Sequence, residues 1–231
     1  MDVLLIPGFM LDADLWTDVR PGLEAFGRTI DVDTTQDTSI EAIARRALVG
    51  RDGPMIVIGF SMGGYVAREI VYQAPDRVKG LALIATSARA DDLALSGSRR
   101  SAAMATSSFR RLSRGAVAKS LSPEHRTEAM IERVQLMSER LGGDVLERQS
   151  QIRRSGDIAR LHTISCPTLV IAAGDDELRT IDESVALKDG IAGARFTIVE
   201  HSGHLIPLEQ PAALLKALAM LKPGKIQDNV R

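Results

Sequence analysis

The chain has a single cysteine, Cys166. No internal disulfide can form, which points to a reducing, cytoplasmic setting. Cys166 precedes Pro167 at the start of an apolar run and reads as a packing residue. No apolar stretch approaches the roughly 20 residues of a membrane helix, so no membrane association is expected. Met1-Asp2 leads straight into a short apolar run, with neither a basic n-region nor a cleavage site, so no secretory leader is expected. Charge of one sign is also lacking: the net is −1 over 231 residues, which excludes a nucleic-acid binder on electrostatic grounds. No cluster of His, Cys, Asp and Glu has metal-ligand spacing, and neither a metal nor another cofactor is expected. The glycine-rich turn at residues 59–64 has no Gly-x-Gly-x-x-Gly and no Lys-Ser/Thr partner, which argues against a nucleotide cradle.

With 45% hydrophobic residues the chain can bury one sizeable core, and one domain is the natural count. Short apolar runs at Val3–Ile6, Thr29–Val32, Met55–Ile58, Val78–Ala85, Thr168–Ala172 and Arg195–Val199 read as strands. Helical spacing appears at Ile40–Leu48, with Thr38 or Ser39 as N-cap, at Tyr65–Val71, at Ile181–Ile191 and at Pro211–Leu221. Strands alternating with helices predict an α/β fold, a mostly parallel, doubly wound sheet. From Ser87 to Thr163 no strand is legible. Helices are expected there, among them Glu124–Leu141 and Val145–Arg154, forming a lid inserted after the strand at 78–85. The core is then 1–86 with 164–222, and the polar tail after Pro223 is expected to fray.

The chain is organised around Gly59-Phe60-Ser61-Met62-Gly63. A strand precedes it and a helix follows, the setting of a nucleophile elbow in which a sharp turn exposes the serine hydroxyl. Glycine is needed at 59 and 63 because side chains there would collide at such a bend. Turning straight into a helix sets the Met62 N–H beside the serine, where it can stabilise an oxyanion.

The partners of Ser61 should follow later strands, in the order acid and then histidine. Gly174-Asp175-Asp176-Glu177 follows one strand, and His201-Ser202-Gly203-His204 follows the next. Among the four histidines, His204 is the best base and His201 its competitor, while His125 and His162 read as surface or packing residues. Pro7-Gly8-Phe9, Gly59–Gly64, Pro167–Ile171 with Gly174-Asp175-Asp176, and Gly203-His204 with Glu209-Gln210-Pro211 together resemble the α/β-hydrolase superfamily, in particular its serine esterase and lactonase branch.

The resemblance covers most of the chain outside the expected lid. It implies a Ser61–Asp176–His204 triad and an oxyanion hole from the backbone N–H groups of Phe9 and Met62. This chain has Pro7-Gly8 where the family usually has His-Gly, and it begins at what would be the family's third strand. The acid stays open between Asp176 and Glu177. Counting forward from Gly174 gives Glu177. Counting back from Thr180, which stands in the place of the usual proline, gives Asp176, the preferred choice.

The implied activity is cleavage of a small carboxylic ester, lactone or thioester. A C–C bond hydrolase or a cofactor-free lyase or peroxidase can share the same residues, and a non-catalytic ligand-binding protein is the reading from another class. Residues 87–163 carry fourteen Arg and Lys against nine Asp and Glu. Adjacent arginines stand at 99–100, 110–111 and 153–154. The stretch reads first as a solvated surface, and its sharper reading is recruitment of an anionic acyl substrate. Met104, Met130 and Met137, with Leu136 and Leu141, are candidates for an apolar acyl pocket, although their spacing is also that of ordinary core. A homodimer is left open.

Overall fold

A computed structural model describes residues 1–91 and 109–221. Arg99, Arg100, Met104 and the tail after Pro223 lie outside the described residues. Six strands form one sheet: β1 (Asp2–Ile6), β2 (Arg28–Asp31), β3 (Met55–Phe60), β4 (Val78–Ile84), β5 (Thr168–Ala173) and β6 (Arg195–Val199). The spatial order is β2-β1-β3-β4-β5-β6, and every neighbouring pair is parallel. The order reverses between β1 and β3, so their C-terminal ends open a crevice of the kind in which ligands bind in parallel sheets.

The helices are α1 (Arg20–Leu23), α2 (Ile40–Leu48), α3 (Met62–Gln73), α4 (Arg114–Lys119), α5 (Glu128–Gln151), α6 (Ile181–Gly190), α7 (Ile206–Glu209) and α8 (Pro211–Leu218). Alternate strand residues feed opposite faces of the sheet. Val3, Leu5, Ile56, Ile58 and Ile171 pack with Trp16 and Leu23, with Val117, Ile131, Val134 and Met137 of α4 and α5, and with Leu214 and Leu218 of α8. Leu4, Ile6, Val57, Leu83 and Val170 pack on the other face with Ile43 of α2, Val66 and Ile70 of α3 and Leu187 of α6. The described helices between β4 and β5 therefore share the main core, and Val145 and Leu146 add a small cluster with Met10.

The inner strands agree with their apolar runs to within two residues at either end. Ser39, not Thr38, caps α2, its side chain accepting from the Ala42 N–H. The largest departures lie between the fourth and fifth strands. A 3-10 turn at Pro123–His125 displaces the expected start, and the helix begins only after Thr127, whose side chain accepts from the Met130 N–H. The two helices expected to part between Leu141 and Val145 do so at Gly142, whose φ of 75° breaks α5 there. That helix stops at Gln151 rather than Arg154. Beyond it the Arg154 carbonyl accepts from the Asp91 N–H at 2.9 Å, which pulls the chain out of helical geometry. Among the described residues no helix is long and apolar enough to cross a membrane.

Candidate active site

Ser61 sits between β3 and α3 at φ 52°, ψ −114°, a strained conformation for a residue with a side chain. Two close approaches explain the glycines around it. A Cβ on Gly59 would lie 2.6 Å from Ala67 Cβ and against the Gly63 carbonyl, and one on Gly63 would lie 2.7 Å from the Pro7 carbonyl oxygen. The turn is held from behind: the Ser61 N–H donates to the Ile84 carbonyl at 2.9 Å, and the Thr86 hydroxyl donates to the Ser61 carbonyl at 2.7 Å. Ser61 occupies the N-cap position of α3 but makes no side-chain capping bond.

His204 Nε2 lies 2.9 Å from Ser61 Oγ, and its Nδ1 lies 2.7 Å from Asp176 Oδ2. A carboxylate only accepts, so Nδ1 carries the hydrogen and Nε2 faces the hydroxyl as an acceptor. His204 is 6% exposed, with the Phe60 ring packed beside it at a centroid distance of 5.0 Å. Asp176 spends its other oxygen on the N–H groups of Leu178 at 2.8 Å and Arg179 at 3.0 Å, which fixes the carboxylate plane. Glu177 points elsewhere, into an ion pair with Arg126. Thr180, in the place of a proline, closes a capping box with Glu183 at the start of α6 and so sets the register of the acid loop.

Of the other histidines, His201 (φ 55°) and His162 are exposed, and His125 Nδ1 lies 2.8 Å from Ser122 Oγ. The residues on either side of His204 are held by Glu209, whose side chain is 0% exposed. Its Oε2 accepts from the Gly203 N–H at 2.9 Å and the Ser122 N–H at 2.8 Å, and its Oε1 accepts from the Leu205 N–H at 3.0 Å. One carboxylate thus ties the histidine loop to the helical stretch between β4 and β5.

Met62 opens α3, so its N–H belongs to the helix's unpaired first turn. Phe9 lies in the turn after β1 and lines the same cavity as Ser61. Gln149 of α5 braces that turn. Its Oε1 accepts from the Met10 N–H at 2.8 Å, and its Nε2 donates to the Thr34 carbonyl and hydroxyl at 3.2 Å. Behind the elbow, Arg68 of α3 is 0% exposed and donates to Asp157 at 2.7 and 2.8 Å and to the Ser87 carbonyl at 2.9 Å. The Tyr72 hydroxyl donates to the same carboxylate at 2.9 Å; burial and the Asp157 charge push its phenol above the usual range.

Sequence reasoning missed the bracing roles of Gln149, Arg68 and Glu209. Glu209 alone had a signal, its place in the motif after His204. Nothing local marks Gln149, whose partners lie 139 and 115 residues away.

The cavity at Ser61 has a volume of roughly 560 Å³. Leu11, Leu112, Val117 and Val134 supply apolar wall, and none of Met130, Met137, Leu136 or Leu141 does. Met137 is core and Leu136 is exposed. Burial pushes the Cys166 thiol up, the opposite of what a nucleophilic thiolate needs. Among the described residues no group of three or more His, Cys, Asp or Glu is placed to hold a metal ion.

The sequence profile of the alpha/beta hydrolase family matches residues 3–217, nearly the whole chain. The chain belongs to the alpha/beta hydrolase family. Within it, a thermophilic esterase from Thermogutta terrifontis, solved with malate bound, is 27% identical, with a TM-score of 0.86 over 95% of this chain and 88% of that one. The enol-lactonase of Burkholderia xenovorans is 19% identical, with a TM-score of 0.85 over 95% and 90% of the two chains. At that identity the likeness is one of fold. The pimeloyl-[acyl-carrier protein] methyl ester esterase of Edwardsiella ictaluri is 32% identical over 94 residues, 37% of this chain. The matched stretch spans only 36% of that relative.

Proposed function

We propose that this alpha/beta hydrolase is a serine hydrolase that cleaves a small carboxylic ester, lactone or thioester through an acyl-enzyme. The observation that carries the reading is the unbroken series Ser61 Oγ, His204 and Asp176, at 2.9 and 2.7 Å, opening on a largely apolar cavity. Ser61 Oγ attacks the carbonyl carbon as its proton passes to His204 Nε2. The oxygen that becomes negative is held by the N–H groups of Phe9 and Met62. When the bond to the leaving group breaks, His204 returns the proton to it. Water then repeats the sequence on the acyl-serine and frees the acid. Asp176 keeps the imidazole in the productive tautomer and stabilises its cation. The helices between β4 and β5 act as the lid that shapes the acyl site. Two similar proteins named as esterases support the ester bond as target.

Fluorophosphonate labelling of the wild type and of Ser61→Ala, with a p-nitrophenyl ester series from acetate upward, tests the reading. Labelling of the wild type alone is expected, with turnover lower by about 10⁴-fold or more in the variant. A folded wild type that resists labelling would overturn it in favour of a ligand-binding protein.

A further inference from the structure

The charged groups in the wall of the Ser61 cavity are of one sign. Lys119, Arg154 and Arg179 line it, and among the described residues no carboxylate does. The acids that balance the two arginines stand outside the wall: Asp91 lies 3.5 Å from Arg154 Nη1, and Glu183 lies 3.2 Å from Arg179 Nη1. These pairs hold the guanidinium groups in place beside the cavity. The Ser120 hydroxyl, also in the wall, is committed to the Val117 carbonyl at 2.7 Å. Among the described residues, and apart from Ser61, Ser120 and His204, the polar side chains in that wall are cationic.

Arg154 is the most committed of the three. It is 5% exposed, and its guanidinium sits 6.0 Å from the centre of the Tyr65 ring, on the helix that Ser61 opens. Arg153, Arg110 and Arg111 are exposed and outside the wall. Of the adjacent arginines within the described residues, only Arg154 therefore lines the cavity. A guanidinium already out of water and fixed by packing meets a carboxylate with little further loss of solvation or freedom, and in a low dielectric that attraction is strong.

We infer that the ester taken at Ser61 carries a carboxylate of its own, as a monoester of a short dicarboxylic acid does, and that Arg154, with Arg179, is the group that reads it. The inference rests on the acyl-transfer reading of Ser61.

Its test is kcat/KM on matched methyl esters, monomethyl glutarate and adipate against methyl pentanoate and hexanoate. The wild type should favour the anionic ester at least tenfold. In Arg154→Met that ratio should fall about tenfold, chiefly through KM, while Arg153→Met keeps the wild-type ratio. A wild-type ratio at or below one overturns the inference, as does a ratio that survives Arg154→Met or falls equally in Arg153→Met.

Thermal unfolding checks that Arg154→Met is folded. If it is not, two measurements decide instead. One is the ratio in Arg179→Met. The other is competitive inhibition of wild-type p-nitrophenyl acetate hydrolysis by glutarate against its neutral diamide. A lowered ratio and tighter glutarate support the inference, and anything else overturns it. Hydrolysis of the neutral esters that vanishes in Ser61→Ala keeps the acyl-transfer reading standing whatever the ratio. Turnover that survives Ser61→Ala defeats that reading, and this inference with it.

Discussion

The loops that carry Ser61, Asp176 and His204 leave the C-terminal ends of β3, β5 and β6, strands locked to their neighbours by parallel backbone ladders. Residues 109–163 face the same site but reach it through side chains. Gln149 holds the Met10 N–H, Glu209 holds the Ser122 N–H, and Arg133 and Arg140 pair with Asp14, Asp18 and Asp12. Backbone ladders position loops whatever the side chains are, so Ser61, Asp176 and His204 inherit their places from topology. The helical stretch rests on its apolar face, a set of distant side-chain ties and a few single backbone bonds, such as that from the Asp91 N–H to the Arg154 carbonyl. Two of those ties end on Met10, beside Phe9, and on the carboxylate that holds the histidine loop, while those of Arg133 and Arg140 end farther out, on Asp12, Asp14 and Asp18.

The sharpest way to break the comparison is at the acid loop. Asp176→Asn keeps the fold but leaves His204 free to take the wrong tautomer, and kcat should fall about 10⁴-fold. Glu177→Gln, which loses only an exposed pair with Arg126, should stay within about twofold of wild type. Steady-state kinetics on one p-nitrophenyl ester decides. Comparable losses in both would mean that the acid is not set by the strand end.

A smaller effect is expected where the two regions are joined. Glu209→Gln puts an amide in front of three backbone N–H donors that one carboxylate now satisfies. Stability should fall by about 2–3 kcal/mol and Tm by about 5–10 °C. Because the loop beside His204 loosens, kcat should fall about tenfold with KM little changed. A loss of Tm with kcat intact would show that Glu209 ties the fold together without positioning the histidine.

The smallest effect belongs to the outer ties. Partial burial pushes the Asp14 carboxyl up, but hydrogen bonding and charge from Arg133, with help from Thr17 and Arg140, outweigh it and hold the carboxyl below its ordinary value. A carboxyl lowered on folding stabilises the protein above its unfolded pKa, and that stability is lost as pH falls through the folded value. Asp14→Asn should therefore be less stable than wild type at neutral pH, by at most about 1 kcal/mol since the pair is half-exposed. The gap should close as pH drops below about 4. Urea melts across that range measure it, and a gap that widens in acid would contradict the assignment.

Much of this was legible in the sequence because it depends on neighbours along the chain. An apolar run of four to seven residues specifies a buried parallel strand, and Gly59 and Gly63 announce the elbow because no other residue fits against Ala67 and Pro7. The family's spacing counted back from Thr180 led to Asp176, whose carboxylate lies 2.7 Å from His204 Nδ1. The basic character of residues 87–163 was also plain from composition. Whether any of that charge serves the site was not. Arg153 and Arg154 are adjacent and chemically identical. Beyond the end of α5 at Gln151 one is exposed, and the other is buried beside Asp91 in the wall of the cavity at Ser61. Local periodicity and turn chemistry determined the sheet and the elbow, and the order of Ser61, Asp176 and His204 along the chain is the one expected of that topology. Which cation lines the cavity, and that Glu209 ties the histidine loop to Ser122, 87 residues away, was decided only by contacts between residues far apart in the chain, and no local pattern encodes those.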